Sequence, residues 1–413
     1  MEARLAAFAL AVLVVLPSAA HAAPARRPKV LLGIDVLERE NFAPLKGLRV
    51  GLIANHTSQD GQGRSTAEVL AAASGVRLVE ILALEHGFFV DTQAAHIRST
   101  ALTLDGRTIP ILSLYRGGFS GMRPTPGDLA GVDALVFDVQ DVGARFYTYL
   151  ASMAMAMEAA KKAGIKFVVL DRPNPITGNI IEGPILDDLS LRRESPTSYF
   201  PVPVRHGLTA GEMARFYNAE LKDPQLLVVP MSGWRRSMWY DQTGLPWTPP
   251  SPNIPDLDAA ELYPGIGIFE SSNLSVGRGT PEPFRLVGAP WLDAEATLKD
   301  LRAAHLPGIR FVRQDFTPVD SRYKDERCRG LRLIITNRRV MRPVNVFLVL
   351  NQSLMRREPK DFQWRWPELK ETMGTDKFRA MLARGDSLSR IKALFDAQDA
   401  WFRKIRRPYL LYR

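Results

Sequence analysis

Polar groups that can move protons or hold anions stand directly behind short apolar runs in this sequence. Asn55-His56-Thr57 follows the run ending at Ala54, and Glu85-His86-Gly87 follows the run ending at Leu84. Asp138, with Asp141 beyond it, follows Ala134-Leu135-Val136-Phe137, and Asp171-Arg172-Pro173-Asn174-Pro175 follows the run ending at Leu170. Carboxylates, imidazoles and guanidinium groups brought into one cleft equip it for general acid/base chemistry, because neighbours can push two carboxyl pKa values apart. Glu85 is the strongest candidate. It follows a strongly apolar stretch and precedes His86 and Gly87, where burial is expected and capping geometry is poor. Asn55, Asp138, Asp141 and Asp171 could equally cap helices or close turns, and His56 and His86 could be satisfied structural histidines.

Two further groups lie downstream. Arg205 and His206 precede a helix expected over 210–221, with Thr209 as N-cap and Glu212 in the capping-box position. Residues 270–280 are polar and Gly-rich; with Glu270, Asn273 and Arg278 they read as a binding loop or a plain turn. Trp234, Trp239, Tyr240 and Trp247 crowd one stretch, where flat rings can stack on sugars or fill a core.

The elements that must position these groups alternate. Strands are expected at 49–54, 76–84, 134–137 and 166–170, with helices at 65–73 and 144–163. Strands separated by helices imply right-handed βαβ units and a parallel sheet covered on both faces. The ligands of such sheets bind outside the carboxyl ends of the strands, where the polar groups fall. The fold class is therefore α/β, with a Rossmann-like parallel-sheet domain over 23–245. Five prolines in residues 246–255 forbid a regular helix or interior strand and make 246–258 a stiff connector. Beyond it, strands at 309–312, 331–335 and 344–349 and helices at 293–305 and 387–404 predict a smaller α+β auxiliary domain over 259–413, with the cleft between the two.

Other chemistries are set aside by what is missing. There is no G-x-G-x-x-G after the first strand, no Gly-Lys-[Ser/Thr], no G-x-S-x-G and no H-E-x-x-H. No nucleotide cofactor is indicated, and a zinc site would need scattered His56, His86, His96 or His206 with Asp. The lone Cys328 excludes an intrachain disulfide. The net charge of +10 is uneven: residues 301–413 hold 26 Lys+Arg against 12 Asp+Glu, leaving the first 300 slightly acidic. These are spaced arginines without interleaved aromatic motifs, so nucleic acid is not the expected partner. Residues 1–22 carry Arg4, an apolar run from Leu5 to Leu16 and the ending Ser18-Ala19-Ala20-His21-Ala22, the pattern of a cleaved secretory signal. That run falls short of the ~20 residues of a spanning helix, so an exported, periplasmic or secreted chain without stable membrane insertion is expected.

The same residues carry a resemblance. Gly33-Ile34-Asp35-Val36-Leu37, Gly51-Leu52-Ile53-Ala54-Asn55-His56-Thr57, Glu85-His86-Gly87-Phe88, the run from Phe137 through Asp141 and Arg145 to Tyr149, Leu170-Asp171-Arg172-Pro173-Asn174-Pro175 and Asn273-Leu274-Ser275-Val276-Gly277-Arg278-Gly279 are similar to the exo-β-N-acetylmuramidase family of bacterial glycoside hydrolases. The similarity runs from about Gly33 to Tyr412. It implies release of N-acetylmuramic acid from the non-reducing end of peptidoglycan fragments, without a cofactor, in cell-wall turnover. The family's proposed catalytic glutamate matches Glu85.

Glycoside cleavage needs an acid at the leaving oxygen and a second anionic group or its equivalent at the anomeric carbon. Glu85 is expected as the acid, tuned by His86, with Asp138 or Asp141 as the second carboxylate unless the substrate's 2-acetamido group replaces it. Asn55, His56, Asp171, Asn174, His206, Glu270 and Asn273 are expected to line the sugar site. Arg145, Arg172, Arg205 and Arg278 are candidates to clamp the lactyl carboxylate of muramic acid. A non-catalytic exported receptor for murein fragments and a metal-dependent amidase or deacetylase are the rival readings.

Overall fold

A computed structural model describes residues 30–89 and 100–413. The expected signal segment and His96 lie outside the described residues. Among the described residues, nine strands belong to the first half: β1 (Arg49–Ala54), β2 (Arg77–Ala83), β3 (Thr100–Leu104), β4 (Arg107–Ser113), β5 (Ala134–Asp138), β6 (Lys166–Leu170), β7 (Glu182–Ile185), β8 (Pro203–Arg205) and β9 (Leu226–Val229). Seven form one sheet in the order β3-β4-β2-β1-β5-β6-β9, parallel except where β3 pairs antiparallel with β4 at the edge. Asp105 and Gly106, both at positive φ, make the tight turn that two-residue hairpins require. β5 is buried along its whole length, as a central parallel strand should be.

Helices α1 (Gly33–Arg39), α2 (Thr66–Ala72), α3 (Tyr149–Ala163) and α4 (Ala210–Leu221) accompany this sheet. Ser65 and Thr209 cap α2 and α4 with full capping boxes to Glu68 and Glu212. α3 begins five residues later than the periodicity suggests. Asp141 Oδ2 accepts from Gly143 N at 2.7 Å, Gly143 is left-handed, and Ala144 bridges to Arg205, so the chain turns before it can coil.

The second half contains α5 (Leu257–Ile266), the antiparallel sheet β10-β12-β11 from β10 (Leu286–Ala289), β11 (Ile309–Arg313) and β12 (Arg329–Ile335), and helices α6 (Ala294–Ala303), α7 (Pro343–Arg357), α8 (Trp366–Met373), α9 (Lys377–Ala383) and α10 (Leu388–Ile405). The expected strand at 344–349 is part of α7. Pro343 starts that helix, and α5, α6 and α10 cover it, so its apolar run reflects burial on several sides and not strand alternation. α10 returns to pack on β7 and β8, and Tyr412 OH donates to Asp171 Oδ2 at 2.6 Å, so the chain's end is tied into the first half. Among the described residues no helix is long and apolar enough to cross a membrane.

The proline-rich passage is more than a connector. Pro249 O accepts from His56 Nε2 at 2.6 Å, while Pro250 O accepts from Tyr149 OH at 2.8 Å and Tyr147 OH at 3.0 Å. Prolines cannot donate to a ladder, but their carbonyls are free to accept, and here they form a wall over the ends of β1 and β2.

Candidate active site

Glu85 lies just past β2. His86 and Gly87 are both left-handed and reverse the chain there, with Gly87 N bonded to Leu84 O at 2.9 Å. The half-buried carboxylate meets the start of α3: Thr148 Oγ1 donates to Oε2 at 2.5 Å, and Tyr115 OH reaches Oε1 at 3.4 Å. Its partners here are hydroxyls. Tyr147 and Tyr149 pack edge to face at 4.6 Å beneath it. Burial first, with the Glu85 charge among the further causes, raises the pKa of Tyr115, Tyr147 and Tyr149, so all three stay protonated. Asn55 abuts the Tyr149 hydroxyl, and its side-chain oxygen holds Thr57 N at 2.9 Å. His56 must donate through Nε2, because Pro249 O can only accept, and burial with nearby His86 lowers its pKa.

The second half supplies the opposing wall. Tyr263 of α5 packs against Phe146, Tyr147 and Phe284. Arg278 is ion-paired with Glu270, lies 5.5 Å over the Phe284 ring, and feels the charge of Glu85. Beside it opens a cavity of about 340 Å³ lined by Glu270, Leu274, Ser275, Val276, Arg278, Ser321 and Arg322.

Several expected site residues are occupied elsewhere. Asp138 is fully buried and clamped by Arg172, Nε to Oδ1 at 2.5 Å and Nη2 to Oδ2 at 2.8 Å, with the Thr66 hydroxyl on the same carboxylate. Neither Asp138 nor Arg172, which also donates to Gln59 O, is available to a sugar. Asp171 accepts from Thr209 Oγ1, Tyr412 OH, Gly211 N and its neighbour Arg172 N, joining β6 to α4 and the C-terminal tail; burial pushes its carboxyl up to about 6. Arg145 gives its guanidinium to the carbonyls of Pro184, Val202 and Thr372, stapling the two halves, and burial pulls it down to about 9. Arg205 is buried against Glu182 at 2.7 Å and Ile176 O at 2.6 Å. Asn174 closes a turn to Ile176 N and bonds Leu208 O, and Asn273 bonds Asp361 O and Gln363 N. These arginines, asparagines and aspartates hold the fold.

Asp141 is intermediate between the two groups. His206 Nδ1 accepts from Leu208 N at 3.1 Å, so its proton sits on Nε2, 3.5 Å from Asp141 Oδ2. Among the described residues Asp141 Oδ1 has no hydrogen-bond partner, it is sealed from solvent, and the Asp141 charge reaches Tyr149 and Tyr263. Of the crowded aromatics, Trp234, Trp239 and Tyr240 are core residues and Trp247 packs edge-on to Tyr240. Among the described residues no group of three His, Cys, Asp or Glu could hold a metal ion. Thr148, Tyr115, Tyr263 and the Pro249–Pro250 carbonyls were not legible as site residues, because each reaches the site only by long-range packing.

A half-buried carboxylate at the carboxyl end of a parallel sheet, ringed by hydroxyls and faced by a guanidinium from a second α+β half, defines a two-domain α/β protein built for acid/base chemistry on a polar ligand. Sequence comparison gives it a family. Residues 50–258 match the N-terminal domain, and residues 261–412 the C-terminal domain, of exo-beta-N-acetylmuramidase NamZ; the chain belongs to this family. It is 38% identical over 391 residues, 94% of this chain and 92% of the relative, to the peptidoglycan beta-N-acetylmuramidase NamZ of Bacillus subtilis strain 168. Two crystal structures of DUF1343 family proteins from Bacteroides fragilis share the fold. One has a TM-score of 0.84 at 34% identity and covers 93% of this chain and 99% of its own; the other has 0.71 at 29%, covering 94% and 99%.

Proposed function

We propose that this protein is an exo-acting glycoside hydrolase that removes terminal N-acetylmuramic acid from peptidoglycan fragments, with Glu85 as general acid. The observation that carries the assignment is the position of Glu85, past the end of β2, held by Thr148 and Tyr115 hydroxyls within range of Arg278 across the cleft. The Glu85 proton passes to the glycosidic oxygen as the C–O bond breaks; water then adds its hydroxyl to the anomeric carbon and its proton returns to the Glu85 carboxylate. Asp141, whose free oxygen is sealed off, acts through space: its negative charge under Tyr149 and Tyr263 favours the positive charge that develops on the ring. His206 positions it. Family membership supports the substrate class.

The test is release of chromophore from a β-N-acetylmuraminide beside the matching β-N-acetylglucosaminide. Release from the muraminide alone, lost in Glu85→Gln, is expected. Binding of intact muropeptides with no release from either glycoside would transfer the site to a receptor. Export is part of the same reading, supported by the pattern of residues 1–22. A mature protein whose first residue is Ala23 is expected on N-terminal sequencing, and an intact Met1 in the purified periplasmic or secreted fraction would reject it.

A further inference from the structure

Several arginines of the basic C-terminal third are held by ion pairs: Arg313 and Arg327 with Asp315, Arg332 with Glu282, Arg356 and Arg357 with Asp300, and Arg365 with Glu368. Arg322 differs. It is partly buried on the cavity of about 340 Å³ that Glu270 and Arg278 also line, and among the described residues it makes no hydrogen bond or ion pair. Burial first, then neighbouring Arg365, lower its pKa from the usual guanidinium value and outweigh the more distant charges of Glu368 and Glu270, yet an arginine remains charged.

Its position is built. Ser321 and Tyr323 on either side are both left-handed, which non-glycine residues adopt only where the surroundings impose it. Here they do. Val319 N bonds Gly279 O at 2.8 Å, and Asp320 lies so close to Gly279 that a Cβ there would sit 2.2 Å from the Asp320 carbonyl oxygen. Tyr323 OH donates to Asn273 O at 2.7 Å and accepts from Trp291 Nε1 at 2.9 Å. The loop bearing Arg322 is thus clamped to the segment bearing Arg278, and both guanidinium groups meet one cavity. Glu270 neutralises Arg278. Among the described residues Arg322 has no carboxylate in direct ion-pair contact, so the cavity holds two guanidinium groups against the one carboxylate of Glu270.

We infer that Arg322 is the specificity-determining residue that binds the lactyl carboxylate of the terminal muramic acid, an assignment that rests on the function proposed above. The 3-O-lactyl ether distinguishes muramic acid from N-acetylglucosamine and carries the only charge on that sugar. A planar guanidinium can take its two oxygens bidentately, and in a half-desolvated cavity such a pair is strong. Arg278 would first have to release Glu270.

Three probes test this: 4-nitrophenyl β-N-acetylmuraminide, its lactyl methyl ester, and 4-nitrophenyl β-N-acetylglucosaminide. The wild-type enzyme should prefer the acid to the ester by about ten- to a hundredfold in kcat/KM, the scale of a charged hydrogen-bonded pair. Arg322→Ala should abolish that preference mainly through KM, with kcat on the ester and the melting temperature unchanged. Arg322→Lys should restore part of it, and Arg322→Gln gives the same reading if the alanine variant folds poorly. An Arg322→Ala or Arg322→Gln enzyme that keeps the preference overturns the assignment. So does a wild-type enzyme that cleaves acid and ester equally, although the muramidase reading then survives. A wild-type enzyme inactive on both muraminides rejects the muramidase reading, and the carboxylate with it.

Discussion

Glu85 and Asp138 stand at the ends of two strands of one sheet with only β1 between them, yet they have opposite fates. Asp138 meets Arg172, delivered by the end of the adjacent β6, and both its oxygens are consumed in a buried ion pair. Among the described residues the hydrogen-bond partners of the half-buried Glu85 carboxylate are hydroxyls, those of Thr148 and Tyr115. The same contrast divides the arginines. Arg145, Arg172 and Arg205 are surrounded by carbonyls and carboxylates of the fold, while Arg278 and Arg322 border a cavity. A polar group behind an apolar strand is thus a candidate only until its partners are counted. Buried charge must be paired to be tolerated, and pairing removes it from chemistry.

Paired variants can break this comparison. Glu85→Gln should lose about 10²-fold or more in turnover, the usual scale for general acid catalysis, with no change in melting temperature. Asp138→Asn should do the reverse. Leaving Arg172 buried without its counter-charge should cost about 3–5 kcal/mol, read as a lower denaturant midpoint, with activity falling only as the fold is lost. An Asp138→Asn variant that melts normally but is inactive would place Asp138 in the chemistry beside Glu85. Thr148→Val keeps the shape and removes one donor from Glu85; about a tenfold loss in kcat/KM is expected from a single charge-assisted bond. An unaltered rate would make Thr148 a bystander.

The smallest effect concerns a carboxylate that lacks a full set of partners. Asp399 on α10 has one oxygen that finds no hydrogen-bond partner among the described residues, and it is pushed up to about 8 by burial, then by Glu182 and Asp396. The folded state therefore holds its proton more tightly than the unfolded state. Its contribution to stability is complete below about pH 4, the unfolded value, and is lost as pH rises through about 8. Asp399→Asn should equal the wild type near pH 4 and melt a few degrees higher at pH 9. Parallel melting curves across that range would count against it.

Much of the first half was legible because local signals agreed there. The strands at 49–54 and 166–170 and the helix after Ser65 fall where periodicity puts them, and the helix after Thr209 where its capping box does. The strand expected at 344–349 failed because burial on several sides of α7 erased the period that separates helix from strand. The proline run predicted its own irregularity. It did not predict that the Pro249 and Pro250 carbonyls would roof the tyrosines, since a carbonyl's partner is set by what folds against it.

What the sequence determined by itself was the α/β class of the first half, the family, and the short set of polar groups that could face a cleft, because these follow from residue order and local period. Tertiary structure decided which of those groups remained available. Arg172 reached Asp138 across neighbouring strand ends, Thr372 captured Arg145 from the far half of the chain, and Gly279 with Asn273 held the Arg322 loop over the cavity. Each is a contact between residues distant in the chain, and whether a charge is neutralised or left exposed depends on a few ångströms that no local pattern encodes.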